Sequence, residues 1–154
     1  MNEKRTLRFL VVDDSLLIRK ILEEMIEVNL GHKVIGFAKN GNEAVTMYEK
    51  LKPDIVTLDI DMPDLNGNEA LKIIKRRDKD SKVIMMTVKG EKEIVSTSLR
   101  LKANGYILKP PSPDKLYDII IKIFPDAKDF TLEREKKKAE REDFDKFYEI
   151  GDFD

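Results

Sequence analysis

The sequence has no cysteine among its 154 residues, which excludes disulfides, cysteine-ligated metals and thiol catalysis. It also has little net charge, −1 from 29 basic and 30 acidic residues, so nothing in its charge favours nucleic acid or an anionic membrane as a partner. No apolar run approaches the roughly 20 residues of a membrane helix, and the N-terminal apolar stretch is too short for the core of a signal peptide. We therefore expect a soluble, cytoplasmic protein.

Five short apolar segments alternate with segments of helical spacing. The apolar segments are LRFLVV, KVIGFA, DIVTLD, KVIMMTV and GYILK, and each lies near Gly, Pro, Asp or Asn. Helix starts are indicated by NGNE at 40–43 and again at 66–69, and by SPD at 112–114. This alternation over residues 7–124 predicts a doubly wound α/β domain whose five-stranded parallel sheet is covered by helices on both faces.

Charged and polar residues end four of the predicted strands: Asp13 and Asp14, Asp59, Thr87 and Lys109. In a parallel sheet these ends share one edge, where working sites of this architecture lie. A single aspartate there would most simply face solvent, but three clustered carboxylates need protonation or a shared cation. Hard oxygen ligands suit Mg²⁺, and a carboxylate beside it can act as a nucleophile towards a phosphoryl group. The combination therefore predicts phosphoryl-transfer chemistry.

Four segments of the chain resemble the receiver domain of two-component response regulators, close to the single-domain, CheY-like chemotaxis type. They are VVDDS (11–15), VTLDIDMPDLNG (56–67), MMT (85–87) and GYILKP (105–110). The resemblance covers about residues 6–124 and implies a flavodoxin-like (βα)5 fold with strand order 2-1-3-4-5. We expect a receiver domain over residues 1–125 and a separate C-terminal extension over residues 126–154.

The resemblance assigns roles to the acidic residues. Asp59 would be the phosphoacceptor, and Asp14 and Asp59 would ligate Mg²⁺ directly. Asp13 would assist the metal through water. Asp61 would offer the metal its backbone carbonyl, which leaves its carboxylate free. Asp64 is assigned no chemistry.

The resemblance also implies a switch. Thr87 would hydrogen-bond the phosphoryl group, Lys109 would pair with it, and the bond from Lys109 to Pro110 would be cis. Tyr106 matches an aromatic position that rotates inward when the threonine moves. Without the resemblance, Tyr106 would be interpreted as an ordinary half-buried strand aromatic.

Three residues are expected to tune access to the site. Val88 occupies a position where the family usually carries a small residue, often alanine, and its branched side chain should narrow the approach of a phosphodonor. Asp61 and Lys89 carry opposite charges and could pair across the mouth of the site, obstructing water. The single histidine, His32, is interpreted as a loop residue away from the acidic edge and not as a phosphorelay donor.

The extension over residues 126–154 is acidic, with 11 acidic and 7 basic residues. Its composition predicts a solvated helix supported by Glu/Lys pairs. Its end is aromatic, because Phe144, Phe147 and Tyr148 share one helical face, and we expect this end to dock on the receiver, on a second copy or on a target. The length and acidity of the extension argue against a DNA-binding output domain.

The sequence is thus interpreted as a stand-alone phosphorylation switch that is not otherwise an enzyme. A histidine kinase would donate the phosphoryl group, and the face made by helix 4, strand 5 and helix 5 would bind a protein, most simply the flagellar motor switch in chemotaxis. A phosphorelay shuttle or a regulator of another target is the alternative. A small phosphatase is disfavoured because nothing resembles a substrate cap. A flavin-binding protein is disfavoured because Asp13 and Asp14 replace its Gly/Ser/Thr-rich loop.

Overall fold

The computed structural model describes residues 4–88, 92–127 and 140–142. Five parallel strands form one sheet in the order β2-β1-β3-β4-β5, which confirms the predicted fold. The strands are β1 (Arg8–Val12), β2 (Lys33–Ala38), β3 (Ile55–Asp59), β4 (Val83–Thr87) and β5 (Gly105–Leu108).

Helices connect and cover these strands. They are α1 (Leu16–Glu24), α2 (Gly41–Leu51), α3 (Gly67–Arg77), α4 (Lys92–Arg100) and α5 (Pro113–Ile123). A π-helical segment, Met25–Asn29, extends α1, which the sequence pattern did not indicate. None of the helices in the described parts of the chain is long and apolar enough to cross a membrane.

The core consists of two apolar layers, one on each face of the sheet. Leu10 and Val12 belong to the layer beneath α2 and α3, whereas Phe9 and Val11 belong to the layer beneath α1 and α5. All four side chains are at most 1% exposed. Burial on both faces explains why the strands are continuous apolar runs and not alternating ones.

The predicted helix starts are present. The side chain of Asn40 accepts a hydrogen bond from the N–H of Glu43 at 2.8 Å, and that of Asn66 accepts one from the N–H of Glu69 at 3.0 Å. Ser112 caps α5 in the same way, with Pro at the start of the helix. Each cap satisfies a donor that the helix leaves unpaired, and such a cap contributes about 1 kcal/mol.

The N- and C-terminal ends of the α/β domain meet at the edge of the sheet opposite the strand ends that carry the acidic residues. The N–H of Arg5 donates to the carbonyl of Asp126 at 2.8 Å, and Arg5 pairs with Ala127 in an isolated β-bridge. The C-terminal extension therefore starts far from the acidic edge. Residues 140–142 are helical, while the aromatic cluster of Phe144, Phe147 and Tyr148 lies outside the described residues.

His32 lies in the loop before β2, as predicted, but it is buried, with 3% of its surface exposed. Its Nδ1 accepts a hydrogen bond from the N–H of Leu7 at 2.9 Å. Because Leu7 immediately precedes β1, this bond lies at the edge opposite the acidic residues. The hydrogen bond therefore links the residue before β1 to the residue before β2.

Gly67 lets α3 begin directly against the backbone at the end of β3. A Cβ atom at this position would lie 2.2 Å from the carbonyl oxygen of Asp59 and 2.6 Å from the Cα of Ile60. We expect Gly67→Ala to destabilise the protein by about 3 kcal/mol, because only a backbone shift relieves this overlap. Urea unfolding would measure the loss. Asn42→Ala, at an exposed position in the first turn of α2, is the control, and an equal effect of the two substitutions would contradict the prediction.

Candidate functional site

Strand alternation brings three of the predicted site residues to one face of the sheet at its carboxyl edge. Asp13 lies two residues beyond Val11, and Lys109 lies two beyond Ile107; both apolar residues belong to the layer beneath α1 and α5. Asp59 ends β3 opposite Met86, a member of the same layer. Side chains two residues apart in a strand point to the same face of the sheet. Regular strand geometry is therefore enough to bring these three groups together.

A single ammonium group bridges two buried carboxylates. The Nζ of Lys109 lies 2.6 Å from Oδ2 of Asp13 and 3.2 Å from Oδ1 of Asp59. Asp13 is 1% exposed and Asp59 is 3% exposed. Burial of this kind is tolerable only because the charges are paired. The bond from Lys109 to Pro110 is cis, as predicted.

Asp13 is held in place from the start of α1. Its Oδ1 accepts a hydrogen bond from the N–H of Ser15 at 2.9 Å, and its carbonyl accepts one from Nη1 of Arg19 at 2.7 Å. The sequence reasoning missed both Ser15 and Arg19. Ser15 could have been recognised from the sequence as the N-cap of α1. Arg19 could not, because it resembles any solvated helical arginine.

The carboxylate of Asp59 is oriented by a contact within its own loop. The N–H of Asp61 donates to Oδ1 of Asp59 at 3.2 Å, and Lys109 contacts the same oxygen. Both of these contacts are made to Oδ1, so the loop and Lys109 converge on the same carboxylate oxygen.

The surroundings of Asp59 and Lys109 keep both side chains charged at neutral pH. Burial raises the pKa of Asp59 from 3.8 to about 6, and the charge of Asp13 adds to this effect, while Lys109 opposes it. Burial alone would lower the pKa of Lys109, but the hydrogen bond to Asp13 and the charges of Asp59 and Asp13 outweigh it and raise that pKa. Near pH 7, Asp59 is therefore mostly an anion beside an ammonium.

The acidic residues fit a hard divalent cation. Asp13, Asp14 and Asp59 can each offer one carboxylate oxygen, and these three atoms lie within 4.8 Å of one another. Asp14 is exposed and the other two are buried, so the group opens to solvent on one side. Mg²⁺ is usually bound by one or two carboxylates and keeps several waters, which suits this arrangement. The contribution of the Asp61 carbonyl stays a prediction.

Thr87 is fully buried, with none of its surface exposed, and its hydroxyl donates to Oδ2 of Asp61 at 2.9 Å. The sequence analysis left that carboxylate available to tune access to the site, and it did not predict this bond to Thr87. The reason is that the loop after β3 turns the Asp61 side chain towards β4, which no local pattern indicates. Lys89, the predicted partner of Asp61, lies outside the described residues.

Tyr106 lies close to the same group of residues. It pairs with Met85 across β4 and β5, and Thr87 pairs with Leu108 two residues further, so Tyr106 and Thr87 share a face of the sheet. Tyr106 is half-buried and packs against the layer beneath α2 and α3. Burial and, to a smaller extent, the charge of Asp61 raise the pKa of Tyr106.

A cleft opens over the acidic residues, lined by Asp13, Asp14, Ser15, Ile18, Asp59, Asp61, Val88, Lys109 and Pro110. The side chain of Val88 is 64% exposed at its mouth. The effect of Val88 on access to the cleft stays a prediction.

We expect Val88→Ala to react faster with a small phosphodonor such as acetyl phosphate, by about threefold, since a smaller side chain opens the cleft; so modest a gain corresponds to less than 1 kcal/mol of barrier. The rate would be followed by intact-protein mass spectrometry. Val28→Ala is a matched control, because Val28 is 63% exposed in the π-helical segment. Equal rates for Val88→Ala and the unchanged protein would dismiss the idea.

The fold and this site define a receiver domain, and the comparison with known families agrees. The model of the response regulator receiver domain matches residues 9–121, and the chain belongs to this family. Receiver domains bind Mg²⁺.

Among individual relatives, chemotaxis proteins are prominent. The chain is 39% identical to the chemotaxis protein CheY of Thermotoga maritima over 116 residues, which cover 75% of this chain and 96% of that protein. It is 45% identical over 108 residues to a protein-glutamate methylesterase/protein-glutamine glutaminase of the same organism, but covers 31% of that protein. The structure resembles that of CheY in the CheX–CheY–BeF3–Mg²⁺ complex of Borrelia burgdorferi, with a TM-score of 0.73, 34% identity, and coverage of 77% of this chain and 89% of that one.

Proposed function

We propose that the protein is a stand-alone response regulator that accepts a phosphoryl group from a histidine kinase on Asp59. The observation that carries the proposal is a buried, ionised carboxylate held by Lys109 beside two further aspartates that fit Mg²⁺. Phosphoryl transfer requires positioning and charge neutralisation more than covalent chemistry, and this site provides both. The domain would span residues 1–125, act in the cytoplasm and perform no catalysis beyond its own phosphorylation and dephosphorylation.

The transfer step can be written from the geometry. A carboxylate oxygen of Asp59 attacks the phosphorus of phosphohistidine, the phosphorus–nitrogen bond breaks, and its electron pair stays on the imidazole nitrogen. The product is an acyl phosphate on Asp59. Lys109 neutralises charge beside the new group, and Thr87 donates to a phosphoryl oxygen once it has left Asp61. Bound Mg²⁺ would supply the remaining charge neutralisation, held by Asp14 and Asp59 with Asp13 behind a water.

The output would be protein binding in chemotaxis, with the flagellar motor switch protein as the favoured target. Support comes from the coverage of CheY of Thermotoga maritima over 96% of its length. Support also comes from two apolar side chains on the proposed face, Leu99 on α4 and Leu108 on β5, which are 57% and 44% exposed. A phosphorelay shuttle or another protein target is the alternative. The extension over residues 126–154 would contribute to docking or to self-association.

Phosphorylation tests this proposal directly. Incubation with acetyl phosphate and Mg²⁺ should add the mass of one phosphoryl group, and neutral hydroxylamine should remove it. Asp59→Asn should abolish the addition, while Asp64→Asn, an exposed position in the same loop, should preserve it. Undiminished labelling of Asp59→Asn would overturn the assignment. We expect beryllofluoride, which accompanies Mg²⁺ in the Borrelia complex, to bind the unmodified protein in the same way.

The target can be sought with the same variants. Affinity capture with the phosphorylated protein, with and without residues 126–154, should retain the motor switch protein, and Asp59→Asn should retain much less. Capture that does not depend on Asp59 would count against a phosphorylation-controlled output.

A further inference from the structure

The hydroxyl of Thr87 is already engaged in the unphosphorylated protein. It donates to Oδ2 of Asp61 at 2.9 Å. A hydroxyl has one proton and can make one strong donation at a time. The mechanism proposed above needs that same proton for a phosphoryl oxygen, so the present bond must break before the new one forms.

We propose that Asp61 is a positioning residue that holds the Thr87 hydroxyl in the unphosphorylated state and competes with the phosphoryl group for it. The inference deepens the proposed function and rests on it. It differs from the predicted pairing of Asp61 with Lys89, because the group that Asp61 controls is the switch threonine and not an attacking water.

The backbone places Asp61 between the phosphoacceptor and the threonine. Its own N–H donates to Oδ1 of Asp59 at 3.2 Å, while its carboxylate reaches Thr87. The preceding N–H, that of Ile60, donates to the carbonyl of Met86 at 2.9 Å, which ties the loop to β4 one residue before Thr87. Asp59 is therefore only two residues from Asp61, whose carboxylate is the acceptor that holds Thr87.

How firmly Asp61 holds Thr87 depends on the strength of its carboxylate as a hydrogen-bond acceptor. An ionised carboxylate accepts a hydrogen bond roughly twice as strong as a neutral acceptor does. Thr87 is fully buried and β-branched, so its χ1 angle is confined to a few staggered wells, and its hydroxyl acceptor helps to decide which of them is populated. Tyr106 lies on the same face, and the charge of Asp61 contributes to its raised pKa, so loss of the contact changes the surroundings of both switch residues.

The first measurement needs neither metal nor phosphoryl group. In metal-free protein with labelled threonine methyl groups, three-bond couplings to the Thr87 methyl report its χ1 angle. The unchanged protein should populate one well, Asp61→Ala should change the populations of the wells, and Asp64→Asn should match the unchanged protein. Asp64 is the matched control, because it is an exposed acid in the same loop and its positive φ of 64° suits asparagine. An unaltered Thr87 rotamer in Asp61→Ala would overturn the proposal.

The second measurement is the affinity for beryllofluoride in Mg²⁺, by calorimetry. Asp61→Ala should bind about tenfold more tightly than the unchanged protein, because the competing acceptor is gone. Removal of a negative charge near an anion site would also tighten binding, so a double-mutant cycle with Thr87→Val separates the two causes. In the Thr87→Val background, Asp61→Ala should change the affinity less than about threefold, since valine cannot donate.

The outcomes distinguish this proposal from the proposed function. If Asp61→Ala changes the affinity for beryllofluoride equally with Thr87 and with Thr87→Val, the cause is charge repulsion alone. The proposed competition for the Thr87 hydroxyl would then be wrong. If no protein, including the unchanged one, binds beryllofluoride, the proposed function fails, and the methyl couplings alone then decide whether Asp61 positions Thr87.

Discussion

Asp59→Asn should be more stable than the unchanged protein at pH 8 in EDTA, by about 3 kcal/mol in the free energy of unfolding. The folded protein holds the pKa of Asp59 at about 6, above its ordinary 3.8, chiefly because burial disfavours the charged form. Asparagine keeps a similar shape without that charge. Urea unfolding at several pH values would measure the difference.

The sign of the pH dependence follows from the direction of the shift. A carboxyl whose pKa is raised on folding binds its proton more tightly in the folded state. Its contribution to stability is present below the unfolded value near 4 and is lost as pH rises through about 6. The advantage of Asp59→Asn should therefore fall to roughly half at pH 5. Asp64→Asn, at an exposed position in the same loop, is the control, and a constant gap between Asp59→Asn and the unchanged protein from pH 5 to pH 8 would contradict the burial argument.

Mg²⁺ should narrow this gap. A cation that binds only the folded state stabilises it by RT ln(1 + [L]/Kd), and Asp59 is one of the three aspartates that fit it. We expect millimolar Mg²⁺ to raise the unfolding temperature of the unchanged protein and to affect Asp59→Asn much less. An equal shift in both would show that the bound metal does not use Asp59.

Lys109→Met should destabilise the metal-free protein at pH 8 by about 3–5 kcal/mol. The ammonium of Lys109 is 2.6 Å from Asp13 and 3.2 Å from Asp59, and both carboxylates are at most 3% exposed. Methionine retains the length of the side chain and removes the charge, which leaves two buried anions with no cation. Urea unfolding in EDTA would measure the loss, with Lys72→Met, at an exposed position on α3, as the control.

The same substitution separates charge from packing. If the loss comes from uncompensated charge, adding Asp59→Asn to Lys109→Met should recover about half of it, because one of the two anions is removed. Lost packing would not be recovered by that second change. Lys109→Met should also abolish phosphorylation by acetyl phosphate in Mg²⁺.

The receiver fold is predictable from this sequence because several local signals agree. Short apolar runs that lack alternation indicate a parallel sheet with both faces covered, and the caps at Asn40, Asn66 and Ser112 mark where helices begin. The site residues follow from the same logic. Parallel strands bring their carboxyl ends to one edge, so Asp13, Asp59 and Lys109 could be placed together without knowledge of any distance.

Other features depended on side-chain direction and on contacts between distant segments. Arg19 contacts the carbonyl of Asp13, yet in sequence it resembles a solvated helical arginine. Gly67 looks like part of a capping pattern in the sequence. In the structure glycine is needed there because a Cβ atom would lie only 2.2 Å from the carbonyl oxygen of Asp59. Neither is a matter of local propensity, because each arises where two elements approach.

The sequence by itself therefore determined the order of strands and helices, the edge that carries the chemistry and the residue types gathered there. Those properties follow from hydrophobic periodicity and from the direction of parallel strands, which are local and repetitive. Only the tertiary structure decided which carboxylate oxygen of Asp59 the N–H of Asp61 contacts and which acceptor holds Thr87. Those choices depend on the path of the loop after β3, which brings residues 26 positions apart into contact and which no repeating pattern encodes.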